Sequence, residues 1–297
     1  MPRWVLTATL RSSPRQMLTT PSTPGCEDAR VTLVHFLARA WVLGLLSQAA
    51  LAAPPPDGGL AVEAPPAALT CMAKWYPVLT PVRLDTGWGF KLPDGRAFPF
   101  DDGQRKPFAR KLEAPDLEDT LSIAYRAGPI APVTREDEDP GRVRFEPLFE
   151  AMYGASKEKV DVVPLVFLGQ RLKVHRKVAP AFERVSARLA ALVAKDASLA
   201  PFLQGVGGTF VWRNIAHTTR RSAHSYGVSI DLNTARSHYW EWQRPRTPVR
   251  WRNAVPQALV EAFEAEGFIW GGRWYHYDTM HFEYRPELLD AACAPAR

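Results

Sequence analysis

The chain has 297 residues, 46% hydrophobic and 23% charged, which suits one large globular domain or two small ones with ample room for a buried core. It is basic, net +6, but half of that excess sits in residues 1–52, where Arg3, Arg11, Arg15, Arg30 and Arg39 face only Glu27 and Asp28. The remainder lacks the dense basic stripe of a nucleic-acid binder, so no nucleic-acid partner is expected.

Residues 1–53 read as an N-terminal extension plus an export signal. Arg30, His35 and Arg39 form a polar front, Trp41 to Leu46 an apolar run, and Ala50-Leu51-Ala52 a small-x-small cleavage pattern. The apolar run is too short to favour a membrane span. The segment before Arg30 has no helical or strand period, which fits a true start near Val31; an uncleaved anchor or a helix of the fold are the alternative readings. Residues 54–70 are rich in Pro and Ala and read as a tether, and a globular domain follows over 71–297. Cleavage would remove Cys26 and leave Cys71 and Cys293. Two cysteines in an exported chain predict a Cys71–Cys293 disulfide, and the protein is expected outside the cytoplasm, periplasmic or extracellular.

Asp94-Gly95 and Asp102-Gly103 mark turns. Pro115-Asp116-Leu117-Glu118-Asp119 opens a helix expected to reach Tyr125. Residues 131–143, charged and carrying Pro140-Gly141, read as a surface loop. Val160 to Leu168 predicts a strand despite Pro164. Ala179 to Asp196 predicts a helix, with Phe182, Val185, Leu189, Leu192 and Val193 at helical spacing. Thr209 to Arg213, Val228 to Leu232 and Met280 to Tyr284 read as strands, and Ala258 to Glu266 as a helix ended by Gly267. Interleaved strands and helices predict an α+β domain built on an antiparallel sheet, with the motif-bearing core over 160–290.

Two segments carry the chemistry. Ser222-Ala-His224-Ser-Tyr-Gly227-Val-Ser-Ile-Asp231 and Trp274-Tyr-His276-Tyr-Asp278-Thr-Met-His281-Phe-Glu283 offer two imidazoles, a carboxylate ligand and a second carboxylate beside the last histidine. A catalytic zinc site needs that donor set: three protein ligands, an open position for water, and a base. His224 and Asp231 are seven apart, an odd offset that places them on opposite faces of a regular strand. They converge only if the chain turns between them, and Gly227 allows such a turn. The plainer reading has Asp231 capping a turn and His224 on the surface. Asp278 and His281, three apart, share one face of a turn. Asp278 then serves as general acid/base, or merely orients a histidine. Glu283 is the rival base, a buried structural acid or a ligand for a substrate amine.

The Ser-x-His, six-residue gap, Asp pattern and the Asp-x-x-His-Phe-Glu pattern resemble the zinc D-alanyl-D-alanine carboxypeptidases and L-alanyl-D-glutamate endopeptidases of the bacterial cell wall. Their superfamily includes lysostaphin-type peptidases and the Hedgehog signalling domain. The motifs cover about residues 209–287. The resemblance implies an antiparallel sheet core flanked by helices, with His224, Asp231 and His281 as zinc ligands and Asp278 as acid/base. It also implies peptidoglycan stem peptides as substrate. Aspartate at the base position is typical of the endopeptidase-like branch. Arg213 occupies about the place where the family has an arginine on the substrate carbonyl or carboxylate, and a guanidinium there stabilises an oxyanion. Arg220 and Arg221 are alternatives for a terminal carboxylate. Ser222 reads as a substrate or backbone contact, not a nucleophile. Trp274 and Tyr275 are groove candidates, and His276 lines the site or has no role. Half of the ten tryptophans fall between 240 and 274, as groove wall or as core. The expected cofactor is Zn2+, with a monomer and no stable membrane span after cleavage. The rival class is a non-catalytic, zinc-stabilised module that binds cell wall or protein.

Overall fold

The computed structural model describes residues 63–294. The export-signal segment, Cys26 and residues 54–62 of the tether lie outside the described residues. The first element, helix α1 (Ala67–Trp75), starts inside the stretch read as tether. Its Ala68, Leu69, Cys71 and Met72 are buried, which is why the apolar end of that stretch folds rather than dangles. Cys71 is disulfide-bonded to Cys293, as expected from the cysteine count. Lys74 Nζ and Trp75 Nε1 both donate to Asp290, at 2.9 and 3.0 Å. The two ends of the described chain are thus clamped together.

Strands β1 (Thr80–Leu84), β2 (Gly87–Lys91) and β3 (Ala97–Pro99) form an antiparallel sheet in that order. Helices α2 (Phe108–Glu113) and α3 (Leu117–Leu121) follow. A reciprocal capping box between Asp116 and Asp119 opens α3. The helix stops at Leu121 and does not reach Tyr125. The Tyr125 hydroxyl is drawn away, donating to Glu264 at 2.6 Å and accepting from the Trp270 N–H at 2.9 Å. The loop 131–143 is exposed only in its first part; Asp139, Pro140, Gly141 and Val143 are buried, because Asp139 is paired inward with Arg142 and His276.

After α4 (Glu146–Tyr153), strands β4 (Val162–Phe167) and β5 (Gln170–His175) make a two-stranded antiparallel hairpin that tolerates Pro164. Helix α5 (Ala179–Lys195) buries Phe182, Val185 and Leu189 on one stripe, and the four-residue α6 (Ala200–Leu203) follows. Thr209 to Arg213 is not a strand. It makes isolated bridges at its two ends, Gly208 with Asp231 and Asn214 with Arg221. Between them the Ser225 hydroxyl captures both the N–H and the C=O of Arg213, at 2.8 and 2.7 Å, so a side chain occupies the groups that a ladder would pair.

The last sheet carries the motifs. Strands β6 (Ser229–Asp231) and β7 (Phe268–Trp270) flank β8 (His281–Tyr284), all antiparallel, with helix α7 (Gln257–Glu264) between β6 and β7 in sequence. Register pairs Asp231 with His281 and Ser229 with Glu283. By strand alternation these four side chains share one face, and Ile230 and Phe282 share the other. That second face is the core: Phe282 stacks on Phe263 of α7 at 4.0 Å, and Phe263 meets Phe268 edge-on at 5.6 Å. The architecture is α+β. No helix among the described residues is long and apolar enough to cross a membrane.

Candidate metal centre and its cleft

Three elements aim donors at one point. Ala223–Tyr226 forms a 3-10 turn, and Gly227 leaves it with φ 66° and ψ 26°, the left-handed conformation. A side chain at Gly227 would also meet the His175 backbone nitrogen at 2.8 Å, so glycine is needed for space as well as for conformation. This reversal is what brings His224 round to Asp231 against the strand alternation. His281 arrives from the neighbouring strand, directly across from Asp231.

The donor atoms are His224 Nε2, Asp231 Oδ1 and His281 Nδ1. Their separations are 3.2 Å from His224 to Asp231, 3.2 Å from His224 to His281, and 3.0 Å from His281 to Asp231. An ion bound tetrahedrally at about 2.0–2.2 Å sets its ligands roughly 3.3 Å apart, so this triangle has the right edges for zinc. The rings are oriented from behind by their other nitrogens. His224 Nδ1 donates to the Thr209 carbonyl at 3.3 Å, and His281 Nε2 to Glu283 Oε2 at 3.4 Å. These bonds turn a lone pair of each ring into the site. The two histidines therefore use different nitrogens.

Glu283 is itself anchored. Arg285 lies 3.3 Å from its Oε1 and Arg144 3.7 Å, while Arg144 pairs with Glu146 at 3.0 Å and Arg285 with Glu287 at 2.5 Å. This alternating chain of charges is largely buried and holds His281 from the rear. Burial would raise the Glu283 pKa, but the His281 hydrogen bond and the two guanidinium groups pull it well below the usual carboxylate range.

The acids around His281 make the centre strongly attractive to a cation. Burial alone would lower the His281 pKa, yet hydrogen bonds to Asp231 and Glu283 and the charges of Asp231 and Asp278 raise it to about 10. Asp231, opposed in the same way by burial, is held far below its usual range by His224 and His281. Asp278 is the exception: burial and then the nearby Asp231 charge push it up to about 7. Its Oδ1 is buried with no hydrogen-bond partner among the described residues. A turn links it to the triad, His281 N–H donating to the Asp278 carbonyl at 3.2 Å. A converging set of two imidazoles and one carboxylate, with a carboxylate beside it that has one unpartnered oxygen, fits a zinc ion and its water.

The centre lies at the base of a cleft of roughly 290 Å³. Arg213, Ser222, Trp274 and His276 line it together with the triad and Asp278; Tyr275 does not. Arg213 is exposed, its guanidinium donating to the Asn214 carbonyl at 3.4 Å. Ser222 is 4% exposed and its N–H donates to the Arg213 carbonyl. Trp274 is buried, donates to the Pro140 carbonyl at 2.6 Å, and sets its ring 5.7 Å from His281. Tyr275 instead lies edge-on to His276 at 5.0 Å. His276 Nδ1 donates to the fully buried Asp139 at 2.6 Å, leaving its other nitrogen available. Arg220 also lines the cleft, donating to the Arg142 carbonyl, and burial beside Arg144 and Arg142 lowers its pKa to about 10.

Sequence reasoning missed Asp139, Thr209 and Ser225, which bond to His276, His224 and Arg213. Asp139 and Thr209 sit in neither motif, and nothing in their local spacing marks them; Ser225 lies inside the first motif, next to His224, but its residue type offers no metal donor to draw attention to it.

A family model described as D-alanyl-D-alanine carboxypeptidase matches residues 216–284. The matched segment holds both motifs and ends on β8, and the family matched is the one that the motifs resemble. It supports a peptidase. Arg213 lies just outside it.

Proposed function

We propose that this protein is an exported zinc peptidase that hydrolyses an amide bond in the stem peptides of peptidoglycan. One observation carries the reading: His224 Nε2, Asp231 Oδ1 and His281 Nδ1 lie 3.0–3.2 Å apart beside the unpaired carboxylate oxygen of Asp278. Bound there, zinc supplies Lewis-acid activation of a water and of the scissile carbonyl. Asp278 accepts the proton that the attacking water loses as its oxygen bonds to the carbonyl carbon. The same carboxyl returns a proton to the leaving nitrogen as the C–N bond breaks. Arg213, exposed on the cleft wall, supplies positive charge to the oxyanion. Ser222 and Arg220 line the same wall and suit a substrate carboxylate. His276, oriented by Asp139, and Trp274 line the same cleft. The disulfide between Cys71 and Cys293 suits an oxidising compartment outside the cytoplasm.

The test is Asp278→Ala, assayed by zinc content and by mass analysis of products from defined muropeptides. Zinc should be retained and hydrolysis lost, and the wild-type products name the bond cut. Unchanged hydrolysis overturns the role of Asp278. A wild-type protein that holds zinc and cuts no muropeptide returns the chain to the binding-module class.

A further inference from the structure

The reaction leaves one conspicuous segment unused. Residues 239–252 read Tyr-Trp-Glu-Trp-Gln-Arg-Pro-Arg-Thr-Pro-Val-Arg-Trp-Arg, with Glu241 as the one acid against Arg244, Arg246, Arg250 and Arg252. All four arginines are exposed, and none makes an ion pair among the described residues. Trp242 is 57% exposed, the one exposed aromatic residue among those described. An indole left largely in water beside guanidinium groups that pair with no acid suits a partner.

The strap is held in place at several points. The Trp240 N–H donates to the Tyr277 carbonyl at 3.0 Å, Gln243 Nε2 to the Tyr277 hydroxyl at 2.7 Å, and Trp251 Nε1 to the Gly272 carbonyl at 2.8 Å. Tyr239 supports Trp242 edge-on at 6.0 Å, and Trp240 does the same for His276 at 4.7 Å. Tyr239, Trp240 and Trp242 continue the wall of the metal cleft outward. What crosses that rim is continuous with what enters the cleft. An indole face packs on the C–H face of a pyranose ring, and exposed guanidinium groups pair with carboxylates.

We propose that residues 239–252 bind the glycan–peptide polymer flanking the bond to be cut. Trp242 stacks on a sugar ring, and Arg246 and Arg250 pair with carboxylates of neighbouring stem peptides. The choice of polymer rests on the wall-peptidase reading.

The experiment uses the full chain carrying Asp278→Asn, so that nothing is digested, and measures retention on purified sacculi and on peptide-free glycan strands. Adding Trp242→Ala should weaken binding to both by about tenfold, as for an anchoring tryptophan. Adding Arg246→Ala with Arg250→Ala should weaken sacculus binding by a similar factor and flatten its salt dependence, with little effect on bare glycan. In the active background, the ratio of sacculus to short-peptide hydrolysis should fall about tenfold in each variant. These side chains are exposed, so an unchanged unfolding midpoint verifies the fold. Sacculus retention equal to the parent in both variants overturns the proposal. So does a Trp242 variant with normal glycan binding while the arginine pair loses sacculi and DNA alike, because that is general attraction to polyanions. If the wild type cuts no stem peptide yet Trp242→Ala still lowers glycan binding, the peptidase reading fails and the strap stands.

Discussion

Two clusters of acids in this molecule invite a cation, and they are answered differently. In the first, Asp102, Asp116 and Asp119 surround Lys106 Nζ at 2.8, 3.1 and 2.7 Å, and that lysine side chain is only 5% exposed. Burial would lower the Lys106 pKa, but its three carboxylate partners raise it above the ordinary lysine range. The chain carries its own counter-ion there. In the second, Asp231, Asp278 and Glu283 gather round His281, and no lysine among the described residues pairs with them. Glu283 is neutralised from behind by Arg144 and Arg285, but Asp278 Oδ1 is left without a partner. Grouped carboxylates by themselves do not make a metal site. What separates the two is whether the sequence places a cation of its own among them, and whether imidazole lone pairs are turned inward.

That contrast can be broken from either side. The largest expected effect is at Asp278: alanine should lower kcat on muropeptides by about 10²–10⁴-fold, the usual weight of a general acid/base. Zinc content should stay unchanged, and the unfolding midpoint of the metal-free protein should stay level or rise, since a buried carboxylate oxygen without a hydrogen-bond partner is removed. A lower midpoint would mean that Asp278 holds structure. Lys106→Met should do the reverse. Removing Lys106 leaves only Lys111, on Asp119 Oδ1 at 3.0 Å, to offset these carboxylates, and costs about 3 kcal/mol in urea unfolding, with kcat per folded molecule unchanged. Tight binding of Ca2+ or Zn2+ at the Lys106 cluster of the wild type would contradict the distinction.

His175 tests the hairpin behind the turn. Its backbone N–H donates to the Gly227 carbonyl at 2.9 Å, and its Nδ1 accepts from the Lys177 N–H at 3.1 Å. Burial, then the Lys177 charge, lowers its pKa to about 4. The folded state therefore resists a proton that the unfolded chain takes up near pH 6.5. The stability is whole above that pH and is lost as the pH falls toward 4, by up to about 3 kcal/mol. His175→Gln should remove this component, read as a smaller difference between urea midpoints at pH 7 and pH 5. The smallest effect is expected at Glu283→Gln, which keeps a hydrogen-bond acceptor for His281 but loses the charge. Zinc affinity should fall by about 10–100-fold, measured by competition with a chelator, with Asp278 still competent once zinc is saturating.

Much of the centre is legible along the chain because its donors come in short motifs. His224 and Asp231 bracket a glycine whose conformational freedom announces a turn, and Asp278 stands one turn before His281. The long helix α5 is legible from its apolar stripe, and the bridge from Cys71 to Cys293 from the two cysteines that an exported chain keeps once its signal segment takes Cys26. The segment 209–213 misleads, since the apolar run Phe210-Val211-Trp212 promises a strand, whereas the Ser225 hydroxyl bonds both backbone groups of Arg213. Helix α3 is shorter than its start suggests because Tyr125 is claimed by Glu264, 139 residues away. Asp139 hides in a charged loop that looks solvated and is buried by its bonds to His276 and Arg142.

By itself the amino-acid order determines which donors exist, the short spacings between them, and the turn that Gly227 permits. Only the tertiary structure decides which nitrogen each histidine presents, which acid is left unpaired, and which acid cluster already holds its cation. The reason is range. Asp231 and His281 meet through the register of β6 on β8 across fifty residues, and ring orientation follows from the carbonyl of Thr209 and the carboxylate of Glu283. Those partners are distributed by the packing of whole strands, and a local pattern of residues does not contain that packing.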